Sequence, residues 1–305
     1  MSTAPVLPLR PMTVGELLDA AAILLRSRWK ALLGLALVFA FVDQILMTTL
    51  RLTTAEMVVP GAIVSGVVDS AVLWTWVVAG LTTEIIAVTL LSGPAARTAV
   101  AAVSGDDPKR LPFWTIDGND WGKAFPVAAI SGFLGLFVFT MCFSPFFAVD
   151  LEGLAAAVFP SAFAVLPWLF VVSMFGLAVP AIVADRLPVG RALGRTFQLL
   201  ARSHWRTAWI RMLTFTSWIL VRVAITLAAY WAVDSVDFLA IPFRVFLVVL
   251  GVVYLAINTV AYAMMACVDA VTLVETRVRV EGLDVAVSRM RARGEPVRLN
   301  SAETP

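Results

Sequence analysis

Apolar residues gather along this chain into six stretches of about twenty residues each, at 31–50, 71–91, 127–147, 161–183, 209–231 and 245–268. A helix of that length rises far enough to cross a hydrocarbon layer about 30 Å thick and satisfies its own backbone polar groups. Six spans are therefore expected. Two further segments follow a different rhythm. In 14–28, Leu17, Leu18, Ala21, Leu24 and Leu25 recur on one helical face. In 189–203, Val189, Leu193, Phe197 and Leu200 face away from a polar ridge of Arg191, Arg195, Gln198 and Arg202. Short amphipathic helices with a basic ridge lie in a membrane surface, so both segments are expected to be interfacial elbows.

The elbows read as copies of each other. Val14-Gly15-Glu16-Leu17-Leu18 and Val189-Gly190-Arg191-Ala192-Leu193 open them; Arg26-Ser27-Arg28-Trp29-Lys30 and Arg202-Ser203-His204-Trp205-Arg206 close them, with one residue inserted in the second. Each leads into a span. Thr13 and Glu16 have capping-box spacing, with Met12 and Leu17 at the staple positions. Pro188 suits a first helical position. The segment 105–123 has charge and interfacial aromatics in Asp106, Asp107, Lys109, Arg110, Trp114 and Trp121, as in a worn third copy, but its Gly and Pro content argues against a continuous helix.

Charge then orients the spans. Of the 23 basic residues, 20 fall before the first span, in the second and fourth connections or, as Arg211, just inside the fifth span, or after the sixth; the opposite connections hold only Arg51 and Arg244, and Arg222 lies deep inside a span. Positive charge is retained in the cytoplasm during insertion, which places both termini there. The net charge is only +2, so the distribution carries the message. With 60% hydrophobic residues the chain lies above the roughly 45–50% of a soluble domain. The first 30 residues lack the apolar run of a cleavable signal peptide, so the first stretch is expected to stay as a span. Cys142 and Cys267 fall toward opposite faces and are not expected to pair.

The candidate chemistry is intramembrane charge, which is costly and marks functional or pairing sites. Span five places Arg211, Thr214, Trp218, Arg222 and Thr226 on one stripe; span six does the same with Asn258, Tyr262, Met265, Asp269 and Thr272. Asp43, Glu84, Arg211, Arg222, Asn258, Tyr262 and Asp269 are the candidate polar core. Equal depth suggests Asp43 as first partner of Arg222 and Glu84 as second, with Arg211 and Asp269 together near the inner face. Arg191, Arg195, Arg202, Arg277 and Arg279 are the candidate face for cytoplasmic partners or anionic lipid. Prolines 126, 145, 160, 167 and 180 are compatible with kinks. His204 is the only histidine, no phosphate-binding loop is present, and no basic run carries stacking aromatics. Enzymatic activity, a cofactor, a metal and nucleic acid are accordingly not expected.

The opening Leu9-Arg10-Pro11-Met12-Thr13-Val14-Gly15-Glu16-Leu17-Leu18-Asp19-Ala20 resembles that of a large group of uncharacterised actinobacterial membrane proteins, which begin R-P-[LM]-[ST]-[VLI]-G-E-[IL]-L-D. The tail Arg277-Val278-Arg279-Val280-Glu281-Gly282-Leu283-Asp284 is similar to that group's R-x-R-x-E-G-L-D ending, and 188–205 to its central A-L-x-R-S-W-x-L region. The group is related to the membrane domain that precedes the catalytic barrel of some glycerophosphodiester phosphodiesterases. The resemblance implies a six-helix membrane fold; with no length here for a barrel, it does not imply phosphodiesterase activity. Twenty Arg against three Lys fits a GC-rich genome.

These readings converge on an all-α polytopic bundle. Residues 1–30 form an amphipathic N-terminus, 31–274 six spans with an elbow at about 188–204, and 275–305 a basic tail. The function expected is a non-enzymatic scaffold or accessory subunit of a bacterial plasma membrane, multi-pass with both termini cytoplasmic. Its partners would be membrane lipids and other membrane or cytoplasmic proteins. The alternative is a transporter-like protein using the polar core for a small solute, ion or lipid.

Overall fold

A computed structural model describes residues 7–54, 70–107, 110–111, 118–148, 154–234, 243–295 and 297. The interiors of the three connections expected outside, most of the 105–117 stretch and the tail beyond 297 lie outside the described residues. In chain order the helices are α1 Val14–Ser27, α2 Trp29–Thr54, α3 Ser70–Ser104, α4 Gly118–Phe143, α5 Leu154–Ser173, α6 Ala178–Asp185, α7 Val189–Arg202, α8 Arg206–Asp234, α9 Phe243–Glu281 and α10 Leu283–Ala292. A short 3-10 helix, Ser144–Ala148, follows α4. The described residues form an all-α bundle with six helical stretches apolar and long enough to cross a membrane: α2, most of α3, α4 with its 3-10 end, Pro160–Asp185, α8 and α9.

Local chemistry explains the boundaries. Thr13 Oγ1 accepts from the Glu16 N–H at 3.3 Å while the Thr13 N–H donates to Glu16 Oε2 at 2.8 Å, so α1 begins on the full capping box. Pro188 stands one position earlier than expected, as the extended N-cap of α7 at φ −71°, ψ 156°, and Val189 opens the helix. The two elbows close differently. Trp29 starts α2 directly, whereas His204 and Trp205 take left-handed φ of 52° and 63° before α8 begins at Arg206.

Span four breaks between α5 and α6. Pro180 has no N–H to return to the Gly176 carbonyl four residues earlier, and its ring crowds that carbonyl. The chain crosses 174–177 on tighter bonds such as Met174 N–H to Val171 O at 3.1 Å and Ala178 N–H to Phe175 O at 3.0 Å. By contrast Pro94 sits inside the continuous α3, and Thr98 Oγ1 donates to its carbonyl at 2.9 Å.

Helix α9 is the spine. Its 39 residues extend about 58 Å at ~1.5 Å per residue, well beyond a ~30 Å hydrocarbon layer. It continues without a break through Glu281, so residues 275–281 are helical. It packs on α2, α3 and α1, and more lightly on α8; α4 joins α3 to α5, and α6 carries α7. Four segments meet at one end of the bundle. Arg28 donates to Leu111 O at 2.9 Å, Arg291 to Val103 O at 2.9 Å, and Arg279 to Met12 O at 2.9 Å. The N-terminal elbow, the α3–α4 connection, the second elbow and the C-terminal helix thus form one basic end.

Candidate functional site

Five of the seven candidate core residues gather in one network. Asp43 comes from α2, Glu84 from α3, Arg222 from α8, and Asn258 and Tyr262 from successive turns of α9. A close approach of α2 and α9 prepares it: a Cβ on Gly251 would lie 2.6 Å from Thr48 Oγ1, so glycine there lets α9 lean on α2. Two turns further along, Asn258 Nδ2 and the Tyr262 hydroxyl donate to Asp43 Oδ2 at 3.1 and 3.0 Å. Gln44 Nε2 donates to the same oxygen at 2.7 Å, and Thr83 Oγ1 donates to Asp43 Oδ1 at 2.5 Å. Four neutral donors therefore hold one buried carboxylate.

Arg222 bonds elsewhere. Its NH1 donates to Glu84 Oε2 at 2.7 Å and its Nε to Asn258 Oδ1 at 2.9 Å. The expected order of partners is thus reversed: the salt bridge goes to Glu84, and Asp43 is reached only through the Asn258 amide. Depth alone could not reveal that an amide stands between two groups at one height. Glu84 Oε1, Arg222 NH2 and Gln44 Oε1 are buried and have no hydrogen-bond partner among the described residues. The polar track continues past this network, with Thr226 Oγ1 and the Tyr254 hydroxyl 2.5 Å apart and the Arg51 guanidinium 5.2 Å from the Tyr254 ring.

Arg211 and Asp269 form a separate buried pair, Nε to Oδ1 3.2 Å. Eleven residues separate Arg211 from Arg222, about 16 Å along α8 at ~1.5 Å per residue. Arg211 NH1 also donates to the Val172 carbonyl at 2.8 Å, at the end of α5 where the helix breaks. Gly176 makes the room: a Cβ there would lie 2.6 Å from the Arg211 side chain. The break in span four and the charge in span five are one construction.

At the basic end, several arginines of the candidate partner face are also engaged internally. Arg195 and Arg277 alternate with Asp185 and Glu281 in a four-membered ring: Arg195 Nε–Asp185 Oδ2 2.8 Å, Arg195 NH2–Glu281 Oε2 2.9 Å, Arg277 NH1–Asp185 Oδ1 2.9 Å and Arg277 Nε–Glu281 Oε2 3.2 Å. Arg279 and Arg206 share Glu275, and both donate to the Met12 carbonyl, at 2.9 and 2.8 Å. These bonds clamp the elbows to the end of α9. Arg191 and Arg202 are exposed, as is Arg186. Asp185, Glu275, Glu281 and Arg206 are not among the candidate site residues of the sequence. Glu275–Arg279 and Arg277–Glu281 are i,i+4 pairs legible along α9, and Asp185 is a lone acid facing a run of arginines.

Outside the spans, the Glu16 carboxyl is held down to about 2, first by the Thr13 backbone N–H and then by Arg10 and the Thr13 hydroxyl. Both described cysteines are free thiols. Among the described residues, no group of three or more His, Cys, Asp and Glu could hold a metal ion.

Six apolar helices tied together by buried polar bonds define a multi-pass integral membrane protein of the all-α class. No family model, curated protein or solved structure matches the chain.

Proposed function

We propose that this protein is a non-enzymatic scaffold or accessory subunit of a bacterial plasma membrane, with both termini and the basic end in the cytoplasm. The observation that carries this reading is the state of the intramembrane charges. Arg222 is held from two sides by Glu84 and Asn258, and Asp43 by four donors. Each bond joins or braces helices that the polar core keeps in register. An arginine at a helix centre costs about 2.5–3.5 kcal/mol on insertion scales, and a fixed partner offsets that cost. The exposed Arg186, Arg191 and Arg202 leave a basic surface for a partner or for anionic lipid. The resemblance to the actinobacterial six-span group fits this reading.

The test is charge reversal on that surface. Arg191→Glu with Arg202→Glu is expected to reduce the native-membrane assembly to the size of the free protein in native electrophoresis, with the protein still folded. An unchanged assembly size overturns the partner face. Topology is checked separately by cysteine labelling in a background lacking Cys142 and Cys267: positions 54–58, 150–154 and 234–238 react from outside, and 187–204 does not.

A transporter-like role is the second reading. It is favoured by the stranded Glu84 Oε1, Arg222 NH2 and Gln44 Oε1, polar atoms that a passing solute or ion could engage. It gains the lead if Arg222→Leu leaves the fold intact and abolishes a measured flux.

A further inference from the structure

An apolar groove of about 290 Å³ opens between the first elbow and the membrane helices, lined by Val14 and Leu18 of α1, Leu213, Trp218 and Val221 of α8, and Met264 of α9. Val14, Leu213 and Val221 are exposed, so the groove opens on the lipid-facing side. Its two hydroxyl-bearing lining residues are already bonded within α8: Thr214 Oγ1 donates to Ile210 O at 2.9 Å and Ser217 Oγ to Leu213 O at 2.8 Å. The wall therefore favours hydrocarbon over a polar solute. A partner helix about 10 Å across would fill this volume in less than one turn.

The end of the groove toward the membrane surface is cationic. Arg206 continues the lining stripe of α8 one turn before Ile210, and Arg279 lies on the same side of α9 as Met264. Both donate to the carbonyl of Met12, two residues before Val14. One carboxylate, Glu275, faces these two guanidiniums, leaving one positive charge in excess. The Arg206 and Arg279 side chains stay 27% and 36% exposed.

We propose that this groove binds one acyl chain of an anionic glycerophospholipid, with the headgroup phosphodiester against Arg206 and Arg279. The ligand is drawn from the leaflet on the basic-end side. The inference needs the helices to lie in a bilayer, but neither the scaffold role nor the side on which the basic end faces.

The test is native mass spectrometry of the full chain in detergent, titrated with phosphatidylglycerol or phosphatidylcholine. The wild type is expected to retain phosphatidylglycerol about fivefold better, the effect of one net cationic side chain near the membrane surface. Ser217→Trp, at an exposed lining position that makes no ion pair, is expected to fill the groove and abolish retention of both lipids. Arg279→Gln is expected to keep phosphatidylcholine and lose the preference. Equal retention of the two lipids by the wild type overturns the headgroup assignment. Undiminished phosphatidylglycerol in folded Ser217→Trp overturns the groove assignment. Loss of a dimer in Ser217→Trp with lipid retention unchanged identifies a second copy as the occupant and also overturns the proposal. A failure of Arg279→Gln to fold leaves the Ser217→Trp result decisive.

Discussion

The membrane-embedded core and the basic end both join distant helices through charge, but by opposite means. In the core, Asp43 is satisfied by four neutral donors, and a single arginine serves Glu84 and Asn258. At the basic end, Asp185 is held by two guanidiniums and Glu275 by two others. Hydrocarbon penalises every added charge, so neutral amides and hydroxyls are the economical donors there. At the basic end Arg195, Arg206 and Arg279 stay partly exposed, so each buried carboxylate can be met by two guanidiniums. The contrast teaches that the basic end is partly structural. Several of the basic residues gathered at that end also clamp its elbows.

The comparison breaks first at Arg222. Arg222→Leu leaves Glu84 buried without its cation and is expected to cost about 3–5 kcal/mol, read as loss of folded protein in detergent. Adding Glu84→Gln should recover part of that loss. Adding Asp43→Asn should recover less, because Asp43 keeps its neutral donors. Equal rescue by the two would place the partner of Arg222 wrongly.

A smaller effect is expected at the break in span four. Gly176→Ala puts a methyl 2.6 Å from the Arg211 side chain, and the overpacking is expected to cost about 1–3 kcal/mol. Thermal unfolding of this variant beside Gly194→Ala, where a Cβ meets nothing within 4 Å, isolates the contact from the general effect of replacing glycine.

Salt sharpens the contrast further. Arg195→Gln removes a partly exposed member of the ring, and because the buried Asp185 keeps Arg277 the change is expected to cost less than Arg222→Leu. That loss should shrink as ionic strength rises toward ~1 M, where screening acts within about 3 Å. The Arg222→Leu loss should stay constant. Unfolding midpoints at low and high salt decide it, and a salt-dependent core would erase the distinction between the two regions.

The smallest effect belongs to Glu16. Its carboxyl ionises near 2 in the folded chain, below its ordinary value of 4.5, so its support for α1 is complete above the ordinary value. That support is lost as pH falls through the interval toward 2. Amide exchange at the start of α1 should quicken across that window in the wild type and show no such step in Glu16→Gln.

Sequence determined the spans and the elbows, because the length of an apolar run, a capping box and a helical face are local properties. The two elbow helices fall where the repeated Val-Gly openings begin. Sequence also named five of the residues that meet in the core, since charge inside an apolar run stands out. Tertiary structure decided who pairs with whom. Arg222 goes to Glu84 because Asn258, brought in where α9 leans on α2 at Gly251, occupies the path to Asp43. Arg195 and Arg277 turn inward because α6 ends with Asp185 beside them. Pairing depends on helix rotation and on neighbours more than a hundred residues away in some cases, and neither is written in any local stretch of chain.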